Sequence, residues 1–224
     1  MSARFADRAS AGLALAERVR RLALQAPIVV LALPRGGVPV ALAVARALNA
    51  PLDLLLVRKI GAPWQSELAV AAVVDGTPPE LVLDETMQAL AGADQNYIEA
   101  QRREALQELQ RRRAVYLQGR EPLDLEGATV VVVDDGIATG TTVRAALQAL
   151  RRRRPKRLVL AVPVAPHDTL QRLAAEVDDI VCLSEPDPFH AVGMHYLDFH
   201  QVSDEEVLDA LDAAHRERLG GGAA

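Results

Sequence analysis

Two adjacent carboxylates, Asp134 and Asp135, stand directly ahead of a run of small and hydroxyl residues, Gly136-Ile137-Ala138-Thr139-Gly140-Thr141-Thr142. A loop of small residues that exposes backbone N–H groups and then opens a helix is a ready anion site. The hydroxyls of Thr139, Thr141 and Thr142 add donors for phosphate oxygens. Acidic groups beside a phosphate cradle make sense where the ligand carries vicinal hydroxyls as well. Asp134 and Asp135 can accept hydrogen bonds from a ribose, and can help to hold Mg2+ directly or through water. Rival phosphate motifs fail: no Lys follows Gly140 to complete a nucleoside-triphosphate loop, and the dinucleotide pattern G-x-G-x-x-G does not occur. An ordinary strand–turn–helix with an acidic turn is the plain alternative.

The elements around these residues can be read from periodicity. Val130-Val131-Val132-Val133 is a β-branched run suited to a strand buried on both faces, and Val143–Leu150 reads as a helix. The carboxylates thus stand at the carboxyl end of a strand, where open α/β sheets place their ligands. A second turn, Arg35-Gly36-Gly37, follows the apolar strand Ile28–Leu33 and precedes a helix from Val38 to Leu48. Two glycines let the backbone approach a ligand closely, and Arg35 offers a planar fork suited to phosphate oxygens. A tight turn explains the same residues equally well. Leu52–Val57 reads as the next strand and would deliver Arg58 and Lys59 to that same edge, a solvated strand end being the alternative.

The segment Val130–Thr142 closely resembles the phosphoribosyl-pyrophosphate (PRPP) signature of the type I phosphoribosyltransferase family, departing at Gly136, where the family usually has a larger apolar residue. The Arg35-Gly36-Gly37 turn resembles the pyrophosphate loop of the same enzymes, in which the peptide before the glycine can be cis. Arg58-Lys59 resembles the basic pair that meets pyrophosphate in orotate and adenine phosphoribosyltransferases. Glu185–Phe199 resembles the hood of hypoxanthine-guanine phosphoribosyltransferases, in which a Phe stacks on the purine and a later Asp helps with a metal. Phe189 and Asp198 would be those residues; a small satellite core is the other reading. Ala138 points elsewhere, since the 6-oxopurine enzymes carry an acid at that place and the adenine and uracil enzymes do not.

The resemblance covers about residues 28–60 and 128–200, and implies an α/β fold with a mostly parallel central sheet flanked by helices. It is closest to phosphoribosyltransferases whose acceptor is not defined. A single domain over residues 1–219 would comprise a core at 4–60 and 128–184, a loop and helical insertion at 61–127, and a hood at 185–200. PRPP would bind with Mg2+. The 5′-phosphate would lie on the Ala138–Thr142 loop and the ribose hydroxyls on Asp134 and Asp135, with Gly136 and Ile137 also among the PRPP-binding residues. Pyrophosphate would meet Arg35, Gly36, Gly37, Arg58 and Lys59. Asp134, Asp135 and Asp198 are the metal candidates, and Arg35, Lys59 and Asp135 the catalytic ones. A nitrogen acceptor, expected to be a nucleobase, would displace pyrophosphate without a covalent enzyme intermediate.

Composition bounds the alternatives. Half of the residues are apolar, enough for a sizeable core, and the net charge of -5 argues against a nucleic-acid-coating protein. Cys182 is the only cysteine and lies in an apolar run, so it reads as a core residue, and no intrachain disulfide can form. The N-terminus lacks an apolar signal region and no run is long enough to span a bilayer, which together predict a cytoplasmic protein. A PRPP-sensing regulator that binds nucleic acid is the second hypothesis, carried only by the basic run Arg151–Arg157; a PRPP-binding subunit without its own chemistry is the third.

The remaining elements follow in order. Residues 4–25 read as a packing helix, 61–83 as loop and hairpin, and 84–119 as a mostly polar helix suited to solvent or to a homodimer contact. A strand is expected at 158–164, a helix near 167–176, a strand at 179–183, and a final helix behind the Ser203–Glu206 capping box, with a disordered tail over 220–224.

Overall fold

A computed structural model describes residues 4–76, 78–118 and 123–221. The chain runs through α1 (Arg8–Arg20), β1 (Ile28–Ala32), α2 (Gly37–Leu48), β2 (Leu52–Leu54), β3 (Val57–Ala62), β4 (Gln65–Val74), β5 (Glu80–Leu83), α3 (Glu85–Ala91) and α4 (Gln95–Tyr116). It continues through β6 (Thr129–Val133), α5 (Thr141–Arg152), β7 (Arg157–Val164), α6 (His167–Leu173), β8 (Asp179–Ser184) and α7 (Asp204–Gly221). Short 3-10 turns occupy Ala174–Glu176 and Val192–His195. The elements divide into two compact units. The first takes the chain up to Leu54, Leu123–Gly140 and the chain from Arg153; the second takes Leu55–Pro122 and Thr141–Arg152.

The first unit is built on a five-stranded, wholly parallel sheet in the order β2-β1-β6-β7-β8. Val130, Val131, Val132 and Val133 of β6 are all fully buried, as a continuous β-branched run requires when helices cover both faces. Each such side chain contributes about 1.5–3 kcal/mol on leaving water. β1 pairs with β6 in a register that sets Ala32 beside Val133, so both strands end at the same level. Helix α1 starts where Asp7 caps it: the Asp7 carboxylate accepts from the Ser10 N–H at 2.7 Å while Ser10 Oγ accepts from the Asp7 N–H at 3.0 Å. Only Arg8–Arg20 of the expected 4–25 segment is helical. Helix α7 carries the expected capping box, with Ser203 and Glu206 bonded reciprocally at 3.1 and 2.7 Å. It extends through Gly221, into the stretch read as tail; residues 222–224 lie outside the described residues.

In the second unit the expected hairpin is present as the antiparallel pair β4 and β5, and β3 extends it to a three-stranded antiparallel sheet, β3-β4-β5, on which α3, α4 and α5 pack. The expected strand Leu52–Val57 stops at Leu54, and the chain crosses into the other sheet through buried Leu55 and Leu56. Arg58 and Lys59 therefore sit inside β3, opposite Val73 and Ala72, and not at the end of a parallel strand. An unbroken apolar run has no periodicity to betray that change of sheet. The polar helix is also two helices. α3 ends at Gly92, in the left-handed conformation, and Asp94 caps α4 by accepting from the Tyr97 N–H at 2.7 Å. The apolar stripe of α4, Ile98, Ala105, Leu109 and Tyr116, is buried as its spacing predicts.

Most of the basic side chains that suggested a nucleic-acid patch are locally paired. Arg152 meets Glu80, Arg154 meets Glu126, Arg157 meets Asp179, and Lys156 Nζ donates to Gln25. Exposed pairs of this kind contribute about 0–1 kcal/mol each, but they leave little charge to track a phosphate backbone. Cys182 is a free, half-buried thiol donating to the Ser184 carbonyl, and burial pushes its pKa up to about 11. A thiol whose pKa is raised in this way carries little of the nucleophilic thiolate at neutral pH. Among the described residues no helix is long and apolar enough to cross a membrane.

Candidate active site

In the five-stranded sheet, β2 lies on one side of β1 and β7 lies on the far side of β6. Strand order reverses between β1 and β6, and such a switch point opens a crevice at the carboxyl ends of the two strands. The turn Pro34–Gly37 leaves one of those strands and Asp134-Asp135 leaves the other. Gly37 shows how closely they meet. A Cβ built there would lie 2.8 Å from the Val133 carbonyl oxygen and 2.9 Å from Asp134 Cα. At Gly36 a Cβ would collide with the Asp135 carboxylate. Both glycines are thus required by close approach. The Gly37 N–H is already committed to the Leu33 carbonyl at 3.0 Å, whereas the Gly36 N–H has no acceptor among the described residues. The cis peptide of this turn lies between Pro34 and Arg35, one bond ahead of the position implied by resemblance. Among the described residues Arg35 makes one ion pair, an exposed 3.3 Å contact with Asp204.

A cavity of about 440 Å³ opens over this junction, lined by Arg8, Arg35, Gly36, Asp134, Asp135 and Phe199 together with residues 200–202. Burial and the charge of Asp135 push the Asp134 pKa well above the ordinary carboxylate range. Asp135 is also raised by burial, with Arg8 pulling it back. The pair is therefore short of positive charge. Asp134 Oδ1 accepts from the Asp135 N–H at 2.9 Å, which fixes one carboxylate relative to the other.

Beyond the pair, the chain makes an open loop. The Ile137 N–H donates to the Val164 carbonyl, but no acceptor among the described residues takes the N–H groups of Ala138, Thr139 or Gly140. Gly140 has φ +76°, and Thr169 props the loop from α6 by donating to the Ala138 carbonyl at 2.9 Å. These are the bare amides that an anion site needs. Gly136 departs from the usual pattern for a visible reason: a Cβ there would lie 2.5 Å from Val192 Cγ1 and 2.9 Å from Val164 Cγ1. The turn Val192–His195 occupies the space that a larger side chain would fill. Gly136→Leu is expected to cost about 1–3 kcal/mol, the usual penalty of overpacking, read as a lower urea midpoint.

Several expected residues lie elsewhere. Phe189 is not on the cavity wall; it stacks on His195 with centroids 5.4 Å apart and packs against the cluster of Ala11, Val164 and Tyr196. That is the satellite core, and the aromatic ring on the cavity is Phe199. Asp198 binds His200 through the backbone N–H and the ring, and no group of three or more metal-binding side chains occurs among the described residues. Arg58 and Lys59 on β3, with Thr141 and Thr142 at the start of α5, belong to the second unit. Sequence reasoning missed Arg8. Its signal was a charge in the first turn of a helix on the same face as buried Ala11 and Leu15.

Residues 8–198 match the family model for the phosphoribosyl transferase domain. The chain belongs to the phosphoribosyl transferase family. Two Mycobacterium tuberculosis proteins, from strains CDC 1551 and H37Rv, each named "Putative phosphoribosyl transferase", are 47% identical over 219 residues, or 98% of this chain. The chain spans 49% of each of them, about half the length of the curated relatives that it matches. The crystal structure of TT1426 from Thermus thermophilus is also 47% identical, with a TM-score of 0.82 over 93% of this chain and 97% of that one. AQ2163 from Aquifex aeolicus, at 14% identity and a TM-score of 0.51 over 92% of this chain and 85% of that one, shares the fold.

Proposed function

We propose that this phosphoribosyl transferase domain moves the 5-phosphoribosyl group of PRPP to a nitrogen acceptor, a nucleobase in the first instance, and releases pyrophosphate. The observation that carries this reading is the meeting of Asp134-Asp135 with the Arg35-Gly36 turn at the switch point, beside a loop with free amides. Ribose hydroxyls are donors suited to the carboxylates, the 5′-phosphate is an anion suited to Ala138–Gly140, and pyrophosphate suits Arg35 and the Gly36 N–H.

Bond breaking at the anomeric carbon would leave an oxocarbenium-like sugar and a pyrophosphate carrying the departing charge. Arg35 would stabilise that charge, the carboxylates would hold the ribose in line with its attacker, and the acceptor nitrogen would add with inversion. Type I phosphoribosyltransferases generally use Mg2+ with PRPP. The chemistry of the donor set fits such an ion: two buried carboxylates short of positive charge can hold one that keeps most of its oxygen ligands from substrate and water. Asp134 and Asp135 would hold it, and Mg2+ would supply charge neutralisation of the pyrophosphate. Arg58, Lys59, Thr141, Thr142 and Phe189 keep their proposed roles on resemblance alone. The cytoplasmic setting and a homodimer belong to the same proposal.

Incubation with PRPP, Mg2+ and a panel of nucleobases tests it. Pyrophosphate release that depends on one class of base is expected. PRPP binding without release under every acceptor would overturn the transfer reaction and leave a sensor.

A further inference from the structure

Arg8 is a charged side chain only 8% exposed, and its contacts determine where the guanidinium lies. Its Nε donates to Asp135 Oδ2 at 2.7 Å, and its Nη1 donates to the His200 carbonyl at 2.7 Å. Its Cζ stands 3.8 Å over the Phe199 ring centroid, a cation–π geometry. Phe199 is itself held by Tyr196, ring centroids 5.0 Å apart, and Tyr196 Oη donates to the Asp135 carbonyl at 2.5 Å. The segment that carries Arg8 is tied to the same region by backbone hydrogen bonds, Phe5 N–H to His195, Leu197 N–H to Phe5, and Asp198 N–H to Ala6. Two segments far apart in the chain therefore converge on one carboxylate, and the conformation of Asp135 is set from two sides.

We propose that Arg8 is a positioning residue of the ribose site, fixing one oxygen of Asp135 so that the other stays aimed at a ligand hydroxyl. The inference rests on the PRPP reading and deepens it. A carboxylate has acceptor capacity at both oxygens, and an unrestrained one rotates about χ2. With Oδ2 held by Arg8 and the backbone on either side held by Tyr196 and by Asp134, Oδ1 is left with a single orientation. Such pre-organisation removes an ordering cost that ligand binding would otherwise bear. The guanidinium fork is needed: Nε serves Asp135 while Nη1 serves the His200 carbonyl, and a Lys ammonium cannot span both with its plane on Phe199. Arg8 is thus expected to stay in place when ligand arrives.

The test is calorimetry on wild type, Arg8→Lys and Arg8→Gln with two probes, PRPP and inorganic pyrophosphate. Arg8→Lys should bind PRPP about tenfold or more weakly, one hydrogen-bond energy in a charged pair, while pyrophosphate binding is unchanged. Equal losses for both probes, or none for PRPP, would overturn the role of Arg8 while leaving the PRPP site itself standing. Failure of the wild-type chain to bind PRPP would overturn both. Should the variants fail to fold, the wild-type protein decides the matter. The 15N-resolved Nε–H resonance of Arg8 should remain protected from solvent exchange after PRPP is added, and its loss would show that Arg8 leaves Asp135 and positions nothing.

Discussion

Asp135→Asn is expected to lower the affinity for PRPP by about tenfold to a hundredfold, the value of a hydrogen bond to a charged acceptor. Asparagine has nearly the shape of aspartate, so the cavity keeps its form. What changes is the charge, and one of two equivalent oxygens becomes an NH2 donor facing either Arg8 or the ligand hydroxyl. Arg8 Nε can only donate, so the amide oxygen must face it and the NH2 the ligand, where a ribose hydroxyl has to turn from donor to acceptor and loses its hydrogen bond to a charged oxygen. The fold suffers as well. Arg8 is buried with Asp135 as its ion-pair partner, and removing one member of a buried pair costs about 3–5 kcal/mol when nothing replaces it. The amide oxygen of Asn recovers part of that, so the unfolding midpoint should fall by less in Asp135→Asn than in Asp135→Ala. Calorimetry with PRPP below the midpoint separates the two effects. Wild-type affinity in Asp135→Asn would remove Asp135 from the site.

Gly37→Ala should be damaging out of proportion to the single methyl group it adds. Its Cβ would meet the Val133 carbonyl oxygen and Asp134 Cα inside 3.0 Å, and both are backbone atoms that cannot swing aside. Relief requires the start of α2 to move away from the end of β6, which carries Gly36 and Arg35 away from the carboxylate pair. Overpacking of this kind costs about 1–3 kcal/mol or more, and here the displaced backbone is the binding crevice itself. A lower thermal midpoint together with weaker PRPP binding is expected. A variant that melts and binds as wild type would show that the close approach of the two turns is unnecessary.

How much could be read beforehand differs from residue to residue. Asp134 and Asp135 were legible because an apolar run followed by two carboxylates marks a strand end whatever lies around it. Arg35 was legible for the same reason, since local glycines announce a turn. Lys59 was not, because the run from Leu52 to Val57 conceals the passage from one sheet to another. Phe189 and Phe199 have the same chemistry and stand ten residues apart on the same segment. Nothing local distinguishes the one that packs under the hood from the one that faces the cavity.

The amino-acid sequence alone determined the parallel strands, the two turns at their carboxyl ends and the small-residue loop, because hydrophobic periodicity, carboxylates and glycines act on their immediate neighbours. Only the tertiary structure decided that Arg8 from the first helix restrains Asp135, that Gly37 is there for closeness more than for its amide, and that Gly136 is small because Val192 leaves no room. Those facts depend on contacts between residues far apart in the chain, separations over which no sequence pattern carries information about touching.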